Sequence, residues 1–405
     1  MSAQAPAARR PALVPRMAEQ GYRRDQVDER RAWVENETGA PLEHVGRFTI
    51  PSEDWRGNVE NPIGAVQMPL GVAGPLHVRG QHIDDVVYVP LATTEGALVR
   101  SYERGAVALT RSGGASVRIH DDENRIGPLF TFDDVAASHD FAVRVVEHLD
   151  ALRAAVAETT RHGRLLRIEP IPAGRRLILN FYFHTGDAQG MNMCVKATDH
   201  ACRWLRAHLD APPYRIFSGY NGEKRASGAV LRGGKGKQVV AGACVPRRVV
   251  RAVLRTTPEA MVSMAHDTAL GHLRAGTLGY NGHVANGLTA LFIATGQDVA
   301  NVANASVAVL DMELTDDGDL YASVTLPSLT VATVGGGTAL GTSAECLAML
   351  GCRGTGTARR FAEIAAAMAL GGELSMGAAI ASGEFVAAHE TYGRNRPDAS
   401  PETRA

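Results

Sequence analysis

The residues of this chain best suited to chemistry are four titratable side chains that stand in apolar or glycine-rich surroundings. Glu95 lies at the start of a predicted helix, and Asp298 directly follows residues 275–297, which hold no Asp, Glu, Lys or Arg. Lys224 lies in a polar loop, and His389 lies near the end of the last predicted helix. Enzymes use carboxyl, ammonium and imidazole groups to transfer protons and to stabilise a negatively charged oxygen.

Each of these residues also has a purely structural interpretation. Glu95 could interact with the dipole of its helix, Lys224 could be a solvated loop residue, and His389 could offset a helix C-terminus. Asp298 is different, because an acidic residue at the C-terminal end of a helix opposes the dipole. A functional role is therefore favoured most clearly for Asp298.

Familiar nucleotide-binding and hydrolase motifs are absent. The sequence GGKGKQ lacks the earlier glycine and the following Ser or Thr of a phosphate-binding loop, and GGGTALG does not fit G-x-G-x-x-G. The chain also has no G-x-S-x-G and no H-E-x-x-H. These absences argue against a P-loop enzyme, a Rossmann dehydrogenase, an α/β-hydrolase and a zincin.

The elements that must position the candidate residues can be predicted from hydrophobic patterning. Residues 60–76 are uncharged after Glu60 and predict a buried, irregular or extended segment, and residues 86–91 predict a strand. A Thr cap at Thr93 and an acid in the first turn predict a helix to about Leu109. A further set of predictions covers a helix at 247–273, an apolar helix at 284–297, a strand at 330–334, and a helix at 358–392 broken at Gly371 and Gly372.

Residues 115–216 predict a separable domain. Their pattern is strand, long helix at 133–160, two strands, helix at 191–209 and a final strand. The order β-α-β-β-α-β is the split βαβ arrangement of ferredoxin-like domains. We therefore predict an α+β protein, in which a large mixed α/β domain carries an inserted ferredoxin-like domain.

Composition predicts an ordinary soluble protein. The 405 residues include 42 Lys and Arg against 43 Asp and Glu, a balance that argues against a nucleic-acid partner. The five Cys residues form no C-x-x-C pair, which favours a reducing cytoplasm. The N-terminal residues lack the apolar core of a secretory signal, and the uncharged stretches 275–297 and 320–344 do not resemble membrane spans. We expect a soluble, cytoplasmic protein with no membrane partner.

Five motifs, in register along the chain, carry a family resemblance. They are ENPIGAVQMPLGVAGPL, TTEGALV, DAQGMNM, GYNGHVANGLTALFIATGQD and TVGGGT. Together they resemble the catalytic part of hydroxymethylglutaryl-CoA reductases, closest to the class I type in a soluble bacterial form. The resemblance extends from about residue 45 to 394.

The resemblance implies reduction of 3-hydroxy-3-methylglutaryl-CoA to mevalonate and CoA, with two NADPH per turnover and no metal, in isoprenoid precursor synthesis. It also implies a homodimer, or a higher even oligomer, with active sites shared between subunits. The implied organisation is an N-terminal tail and helical segment (1–45), a large CoA-substrate domain (46–126 with 217–389), an inserted small NADP-binding domain (127–216) and a C-terminal tail (390–405).

In this family the four residues above correspond to catalytic groups. Lys224 matches the lysine that stabilises the oxyanion when the thioester is reduced. His389 matches the imidazole that protonates the departing thiolate, and Glu95 matches the acid that protonates the aldehyde oxygen. We expect burial and a nearby Asp298 carboxylate to raise the pKa of Glu95 and Lys224 to oppose that change.

The resemblance also implies binding residues. Those matched to substrate contacts are Arg104, Arg125, Ser218, Arg225, Arg255, His283 and Asn286. Those matched to cofactor contacts are Arg161, Asp187, Met191, Asn192, Met193, Gly335, Gly336, Gly337 and Arg394. The two arginines of the cofactor set favour NADPH over NADH, because a 2′-phosphate attracts a cation. Both could equally be ordinary exposed arginines.

The chain departs from the family pattern in one catalytic segment. Glu223-Lys224-Arg225 stands where most relatives have Asp-Lys-Lys, and Gln189 replaces a Met that many class I members have. Arg and Lys are not interchangeable, so the acyl-CoA accepted could differ. The alternatives are therefore a reductase of another branched acyl-CoA on the same fold, and a catalytically inactive relative that binds CoA or a nucleotide.

Overall fold

The computed structural model describes residues 13–384, which divide into two compact units. Of these residues, the first unit comprises 13–69 and 340–342, and the second comprises 70–339 and 343–384. The first unit has a small hydrophobic core, whereas the second contains the two largest hydrophobic clusters.

The first unit is built on helix α1 (Arg24–Thr38). The helix ends where Gly39 adopts a left-handed conformation with φ 71°. The side chain of Arg30 is fully buried, and its Nη1 donates hydrogen bonds to the carbonyl groups of Gly21 (3.2 Å) and Pro62 (2.7 Å). These bonds satisfy a buried charge and hold the segment around Pro62 near the helix.

The uncharged segment at 60–76 is less buried than the sequence predicts. Residues 66–70 are all exposed, and the Val66 side chain is 86% exposed. From Leu70 onward the segment is a strand, so its backbone groups pair as the prediction requires.

The strands of the second unit are β1 (Leu70–Arg79), β2 (Asp84–Ala92), β3 (Ala115–Ile126), β4 (Leu129–Thr131), β5 (Arg164–Ala173), β6 (Arg176–His184), β7 (Tyr214–Arg215), β8 (Gly236–Val245), β9 (Val309–Leu314) and β10 (Leu320–Leu329). The helices after α1 are α2 (Leu98–Arg111), α3 (Val135–Glu147), α4 (Leu149–Ala157), α5 (Met191–His208), α6 (Gly228–Leu231), α7 (Arg247–Val249), α8 (Pro258–Ala275), α9 (Val284–Thr295), α10 (Val302–Ala305), α11 (Gly341–Met349) and α12 (Ala358–Ala381). The strands lie in the order β7-β4-β6-β3-β8-β10-β9, with β1 and β2 attached beside β3 and with β5 attached beside β6. All pairings are antiparallel except that of β1 with β3.

Strand β3 passes from the large part of the sheet into the small part. Its residues 116–123 pair with β8, and only residues 124–126 pair with β6. The segment predicted as the first strand of the inserted domain therefore belongs to the large sheet, and that role falls to β4. The small strands lie in the order β7-β4-β6-β5, and the predicted helix at 133–160 is two helices that meet at His148. The small part has its own apolar core, in which Phe181 is fully buried.

Helix α12 is the centre of the larger core. Among the helices of the described residues, it alone is long and apolar enough to cross a membrane, and 83% of its most apolar window is buried inside the protein. The predicted break at Gly371 and Gly372 is wrong, because the helix runs through both. A Cβ on Gly105 of α2 would lie 1.7 Å from the carbonyl oxygen of Gly371, so the missing side chain lets the two helices cross in backbone contact.

Helix α2 begins at Leu98 and not at the predicted Thr93 cap. Ala97 adopts a left-handed conformation with φ 70°, which separates the preceding turn from the helix. The hydroxyl of Thr93 instead accepts a hydrogen bond from the backbone N–H of Glu95 (3.0 Å). Glu95 therefore lies in a turn that is fixed between β2 and α2.

Two other predicted elements are interrupted. The helix predicted at 247–273 is broken at Arg255, which adopts φ 59° after a stretch of π-helix. The strand predicted at 330–334 is a loop, in which Val334 forms one isolated bridge with Ala188. Both interruptions lie beside residues matched to ligand contacts, where local geometry commonly departs from regular structure.

Candidate active site

Lys224 and Asp298 form an ion pair. The Nζ atom of Lys224 lies 2.8 Å from Oδ2 of Asp298. Lys224 has a left-handed backbone (φ 56°) in the loop after β7, and its N–H donates to Oδ1 of the buried Asn304 (3.1 Å). Asp298 follows the C-terminus of α9, and its Oδ1 accepts the N–H of Ala300 (3.2 Å). The structure thus brings together two candidate residues that are far apart in the sequence.

The environment of Lys224 keeps its side chain charged. The hydrogen bond that Lys224 donates to Asp298, together with the negative charge of that carboxylate, raises the pKa of Lys224, although partial burial opposes this. Both side chains remain partly exposed, at 45% for Lys224 and 37% for Asp298. A fixed ammonium that is still accessible can donate a hydrogen bond to a reacting oxygen.

Glu95 pairs with Asn286 of helix α9. The Nδ2 atom of Asn286 donates to both carboxylate oxygens of Glu95, at 3.1 and 3.0 Å. The sequence predicts burial of Glu95 and proximity to Asp298, but Glu95 is exposed in the single chain. No hydrogen bond joins Glu95 to Asp298 or Lys224 within the described residues. Its orientation is set by an amide and not by a second carboxylate.

The start of α9 is held by a buried carboxylate. Glu373 of α12 accepts hydrogen bonds from the N–H groups of Gly282 (2.9 Å) and His283 (2.5 Å), and the hydroxyl of Tyr102 donates to the carbonyl of His283 (2.5 Å). Burial raises the pKa of Glu373, and the backbone donors oppose that rise. Because Asn286 lies in the first turn of α9, these contacts also determine the position of the Glu95 partner.

His283 is a neutral imidazole at neutral pH. The ring is 3% exposed and stacks on the Tyr102 ring with centroids 4.7 Å apart. Burial lowers the pKa of His283 to about 4. Neither ring nitrogen has a hydrogen-bond partner in the part of the chain that the structure describes. One nitrogen can donate and the other can accept, so a ligand could satisfy both.

Arg125 and Ser218 lie against one loop. The buried Arg125 donates from Nε to the carbonyl of Asn221 (3.2 Å) and from Nη1 to the carbonyl of Gly233 (3.1 Å). Its Nη2 has no partner among the described residues. Ser218 is anchored through its N–H to the carbonyl of Gly127 (3.1 Å). Arg125 therefore holds the loop with two of its nitrogens and leaves one for a ligand. A carboxylate prefers to bind two guanidinium nitrogens at once, and this arrangement does not provide two.

Asp187 joins the two segments matched to cofactor contacts. Its carboxylate accepts the N–H groups of Gly356 (2.8 Å) and Ala358 (3.0 Å), and so caps α12. Its backbone carbonyl accepts the N–H of Thr333 (2.9 Å), two residues before Gly335. The contacts seen for Asp187 are thus structural, and they fix the loop before α5 against the glycine segment.

The glycine segment in turn contacts the segment that carries Asp298. A Cβ on Gly296 would lie 2.3 Å from the carbonyl oxygen of Gly337, so the two backbones touch. Gln297 reinforces the contact, because its amide side chain both accepts from and donates to the backbone of Ala332, at 2.8 and 2.9 Å. These contacts therefore fix the position of Gly337 relative to Asp298.

The backbone around these segments suits a dinucleotide. Helix α5 starts at Met191 after Gly190, which has φ 75°, and no side chain of residues 13–384 caps its first N–H groups. Gly335 and Gly336 also have positive φ, and a Cβ on either would meet none of the described atoms within 4 Å. Uncapped N–H groups at a helix start and glycines that face open space are features that accept phosphate groups.

The other residues that the resemblance matched to ligand contacts form no hydrogen bond or ion pair with Lys224, Asp298 or the glycine segment within the described residues. Arg161, Asn192 and Arg225 are exposed, and Met193 packs against Gly163. Arg104 and Arg255 lie 3.8 and 3.9 Å from Glu384, one on each carboxylate oxygen. Burial lowers the pKa of Arg104, and Arg255 adds to this while Glu384 opposes it. His389 and Arg394 lie outside the described residues.

Three residues with clear roles in this geometry were not singled out by the sequence. Glu373 caps α9, Asn304 holds the backbone of Lys224, and Lys235 is a fully buried cation. A carboxylate in an apolar helix is a usable signal for Glu373, because a buried charge requires partners. Lys235 stands in a glycine-rich basic run, which indicates a solvated loop and gives no signal of burial.

A family model described as hydroxymethylglutaryl-coenzyme A reductase matches residues 26–394. The chain belongs to this family. The 3-hydroxy-3-methylglutaryl-coenzyme A reductase of Methanothermobacter thermautotrophicus is 44% identical over 368 residues, which are 90% of this chain and 92% of that protein. The enzyme of the same name from Aeropyrum pernix is 44% identical over 375 residues, 90% of this chain and 89% of that protein. The resemblance of the five motifs to the hydroxymethylglutaryl-CoA reductase family is confirmed.

A solved structure of a reductase in this family gives the same fold. The class II 3-hydroxy-3-methylglutaryl-CoA reductase from Streptococcus pneumoniae, bound to NADPH in open conformations, matches with a TM-score of 0.66. The match covers 87% of this chain and 96% of that chain at 20% identity, which shows the fold alone. The predicted mixed α/β fold is confirmed.

Proposed function

We propose that this chain reduces 3-hydroxy-3-methylglutaryl-CoA to mevalonate and CoA with two NADPH, in isoprenoid precursor synthesis. Two hydride additions and two protonations convert the thioester carbonyl to a primary alcohol, and CoA leaves as a thiol. The observation that carries the proposal is the Lys224 ammonium, held by Asp298 beside the glycine segment 335–337 in a member of this family.

Lys224 stabilises negative charge on the substrate oxygen. Its ammonium donates a hydrogen bond to the thioester oxygen as charge develops there, and later to the aldehyde oxygen. Asp298 holds the ammonium through the 2.8 Å contact, and Asn304 fixes the backbone from which the side chain extends. Little reorganisation is then needed during the reaction.

The remaining groups manage protons and orientation. Glu95, oriented by Asn286, donates a proton to the reduced aldehyde oxygen. His389, which the resemblance matches to the catalytic imidazole, protonates the departing CoA thiolate. His283 stays neutral and offers its two unpartnered ring nitrogens to the acyl-CoA as hydrogen-bonding groups.

The binding sites follow from the same geometry. NADPH, which supplies both hydrides when bound, fits the uncapped start of α5 and the open glycines 335–336. Met191 to Met193 and Gly337 lie at these two segments, and Arg161 and Arg394 are the candidates for the 2′-phosphate. Arg104 and Arg255, which flank Glu384, suit the phosphates of CoA. Arg125, Ser218 and Arg225 suit the acyl group.

The division into domains is part of the proposal. Residues 46–126 with 217–389 form the CoA-substrate domain, and residues 127–216 form the NADP-binding domain, between a 1–45 segment and a 390–405 tail. The separate apolar core of the β7-β4-β6-β5 sheet supports the inserted domain.

A second copy of the chain completes the molecule. Glu95 is exposed in the single chain, as is an apolar face of the β1–β2 hairpin formed by Leu70, Val72, Val86 and Tyr88. Contiguous exposed apolar residues of this kind favour a protein partner. A homodimer or a higher even oligomer, soluble in the cytoplasm, accounts for both features.

The experiment is turnover of purified protein with NADPH and 3-hydroxy-3-methylglutaryl-CoA. We expect loss of NADPH absorbance, formation of mevalonate by mass spectrometry, and two NADPH oxidised per CoA released. Lys224→Met should lower kcat by about a thousandfold, since removal of one oxyanion donor has effects of this order. Lys196→Met, which replaces an exposed lysine of α5, is the matched control and should keep wild-type turnover.

The alternatives give different results in the same assay. Oxidation of NADPH only with another branched acyl-CoA would identify a reductase of different specificity, which the Glu223-Lys224-Arg225 sequence would then explain. No oxidation with any acyl-CoA, despite measurable NADPH binding, would identify an inactive relative. Near-normal turnover by Lys224→Met would contradict the role given to Lys224.

A further inference from the structure

Lys235, directly before β8, is a buried cation that the proposed mechanism does not use. Its side chain has no exposed surface, and Nζ lies 3.0 Å from Sδ of Met191 and 3.5 Å from Oε2 of Glu223. A thioether is a weak acceptor, and 3.5 Å is long for a charge-assisted hydrogen bond. Such an ammonium costs free energy of folding, so stability does not account for it.

The few contacts of Lys235 reach both functional segments of the site. Glu223 immediately precedes Lys224, and its other carboxylate oxygen accepts from Nε2 of Gln189 (3.5 Å). Met191 begins α5, where the cofactor segment enters the helix. The Lys235 ammonium therefore stands between the loop that carries the reactive lysine and the start of the helix matched to the cofactor.

The backbone of Lys235 is tied to Lys224 by a second route. The carbonyl of Lys235 accepts from the hydroxyl of Thr330 (2.9 Å), which accepts from Nδ2 of Asn304 (3.0 Å). The other side-chain atom of Asn304, Oδ1, accepts the N–H of Lys224. This route does not involve the Lys235 side chain, so a substitution there removes the charge and leaves the backbone anchored.

We propose that Lys235 is a positioning residue, which couples NADPH binding to the placement of Lys224 through Met191 and Glu223. The proposal rests on the proposed function. Because its side chain is buried, Lys235 acts through these neighbours and does not touch the substrate. With the ammonium present, Glu223 is drawn toward α5, and the loop bearing Lys224 follows.

The coupling depends on pH. Burial lowers the pKa of Lys235 to about 8, with Arg125 of β3 acting in the same direction and with Glu223 of the Lys224 loop opposing. Cys194 faces Lys235 from α5, but burial raises the pKa of this thiol to about 12, so it stays protonated and uncharged while Lys235 titrates. As pH rises through about 8, Lys235 loses its charge and Glu223 loses its attraction to α5.

The test compares Lys235→Met and Lys235→Arg in the full chain. NADPH dissociation constants are measured by fluorescence titration between about pH 7 and 9, a range that brackets the lowered pKa. Lys237→Met is the matched control, because Lys237 is 3% exposed, lies two residues away and pairs with Asp122 (3.2 Å). Thermal melting of each variant measures any general loss of stability.

We expect Lys235→Met to weaken NADPH binding about tenfold at pH 7 and to lower kcat by a similar factor, the size of one lost charged contact. The wild type should bind NADPH more weakly as pH rises through about 8. Lys235→Arg, which stays charged, should show no such pH dependence. Lys237→Met should bind NADPH as the wild type does, whatever its melting temperature.

A double-mutant cycle covers the case in which Arg does not fit the buried site. If Lys235 acts through Glu223, the double variant Lys235→Met/Glu223→Gln should lose no more NADPH affinity than the worse single variant. Equal affinity of Lys235→Met and wild type, or fully additive losses in the cycle, would overturn the proposal. The binding measurements need no turnover, so a failure of the proposed reaction would be recognised separately.

Discussion

Two side chains of the site differ in charge at neutral pH, and their surroundings explain the difference. Lys224 keeps its proton because the carboxylate of Asp298 raises its pKa. His283 has no such partner in the described part of the chain, and burial lowers its pKa to about 4, so the ring is neutral at neutral pH. The site therefore combines one lasting positive charge with one neutral hydrogen-bonding ring, which suits charge stabilisation at one atom and orientation at another.

The Lys224–Asp298 pair predicts a pH dependence for kcat. Because Asp298 raises the pKa of Lys224, the ammonium persists above the ordinary Lys range, and any stability from the pair is lost only as pH rises through the raised value. In Asp298→Asn the pKa of Lys224 falls, so the alkaline decline of kcat should begin at lower pH than in the wild type. Stopped-flow turnover at saturating NADPH, with both proteins in the Lys235→Arg background, measures this separately from the loss of charge on Lys235 near pH 8.

Asp317→Asn is the control for that measurement. Asp317 is exposed in the turn between β9 and β10, and its removal changes net charge by the same amount. Its alkaline profile should match the wild type. An Asp298→Asn profile that is lower at every pH but unchanged in shape would show that Asp298 does not govern the protonation of Lys224.

Some of the site could be predicted from residue types alone, and some could not. Asp298 stood out because it ends a long uncharged segment, and the structure pairs it with Lys224. The resemblance supplied Asn286, whose contact with Glu95 no local pattern indicates. Lys235 was missed because its burial depends on α5 and the Lys224 loop closing over it, and such long-range contacts leave no periodic trace in a single sequence.

At the scale of elements, α12 organises the unit through acidic residues. Glu363 accepts the N–H groups of Gln81 (2.8 Å) and His82 (2.9 Å) in the β1–β2 turn, and Glu373 accepts those at the start of α9. Asp187 caps the first turn of α12 itself. One apolar helix is thus joined by side-chain carboxyl acceptors to a hairpin, a second helix and the loop before α5.

The two buried glutamates of α12 make a matched pair of variants. Glu373→Gln and Glu363→Gln should each lower the free energy of unfolding by about 2 kcal/mol, because each replaces a carboxylate oxygen that accepts a backbone N–H with an NH2 group that cannot accept. Only Glu373→Gln should also lower kcat/KM, since it alone loosens the start of α9 that carries Asn286 and His283. Chemical denaturation and steady-state kinetics on the same preparations measure both effects. Equal losses of kcat/KM in the two variants would argue against a specific role for Glu373.

The crossing of α2 and α12 gives a prediction about packing. Gly105→Ala should destabilise the protein by about 2 to 3 kcal/mol, because its Cβ would meet the backbone of Gly371 and force the helices apart. Gly271→Ala, in the exposed part of α8, has nothing within 4 Å of its Cβ and should stabilise by about 0.5 to 1 kcal/mol. Thermal unfolding compares them. A neutral Gly105→Ala variant would contradict the backbone contact.

These glycines also show why some element predictions failed. Paired glycines at 371–372 predict a helix break by propensity, yet the tertiary contact with Gly105 requires small residues there and stabilises the helix. Ala97 shows the converse, because alanine favours a helix by propensity but here adopts a left-handed backbone with φ 70° that forms the turn before α2. In both places the long-range packing overrides the local preference, whereas strongly patterned elements such as α9 were predicted nearly in full.

At the scale of the whole molecule, the exposed hairpin face predicts the assembly state. Val72→Asp combined with Tyr88→Asp places charges on a face where both residues are about half exposed, so folding should be preserved. We expect light scattering after size exclusion to show a monomer with less than a tenth of wild-type turnover, because the proposed sites are shared. Val143→Asp, on the exposed face of α3, should remain oligomeric and active.

If the Val72→Asp/Tyr88→Asp variant stays oligomeric, the contact between subunits does not lie on the β1–β2 hairpin. Dissociation with full activity would instead mean that one chain holds a complete site. Each result addresses the assembly separately from the chemistry of Lys224.

The position of α12 in the chain has a consequence for biosynthesis. This helix is as apolar as a membrane span, and the core that buries it includes strands and helices made more than a hundred residues earlier. On a ribosome that adds about 5 to 20 residues per second, those elements wait many seconds with an open apolar face. The contiguous small core, by contrast, can close as soon as it emerges. We therefore expect the nascent chain to need chaperones more when translation is slower, because the apolar core then stays open for longer before α12 is synthesised.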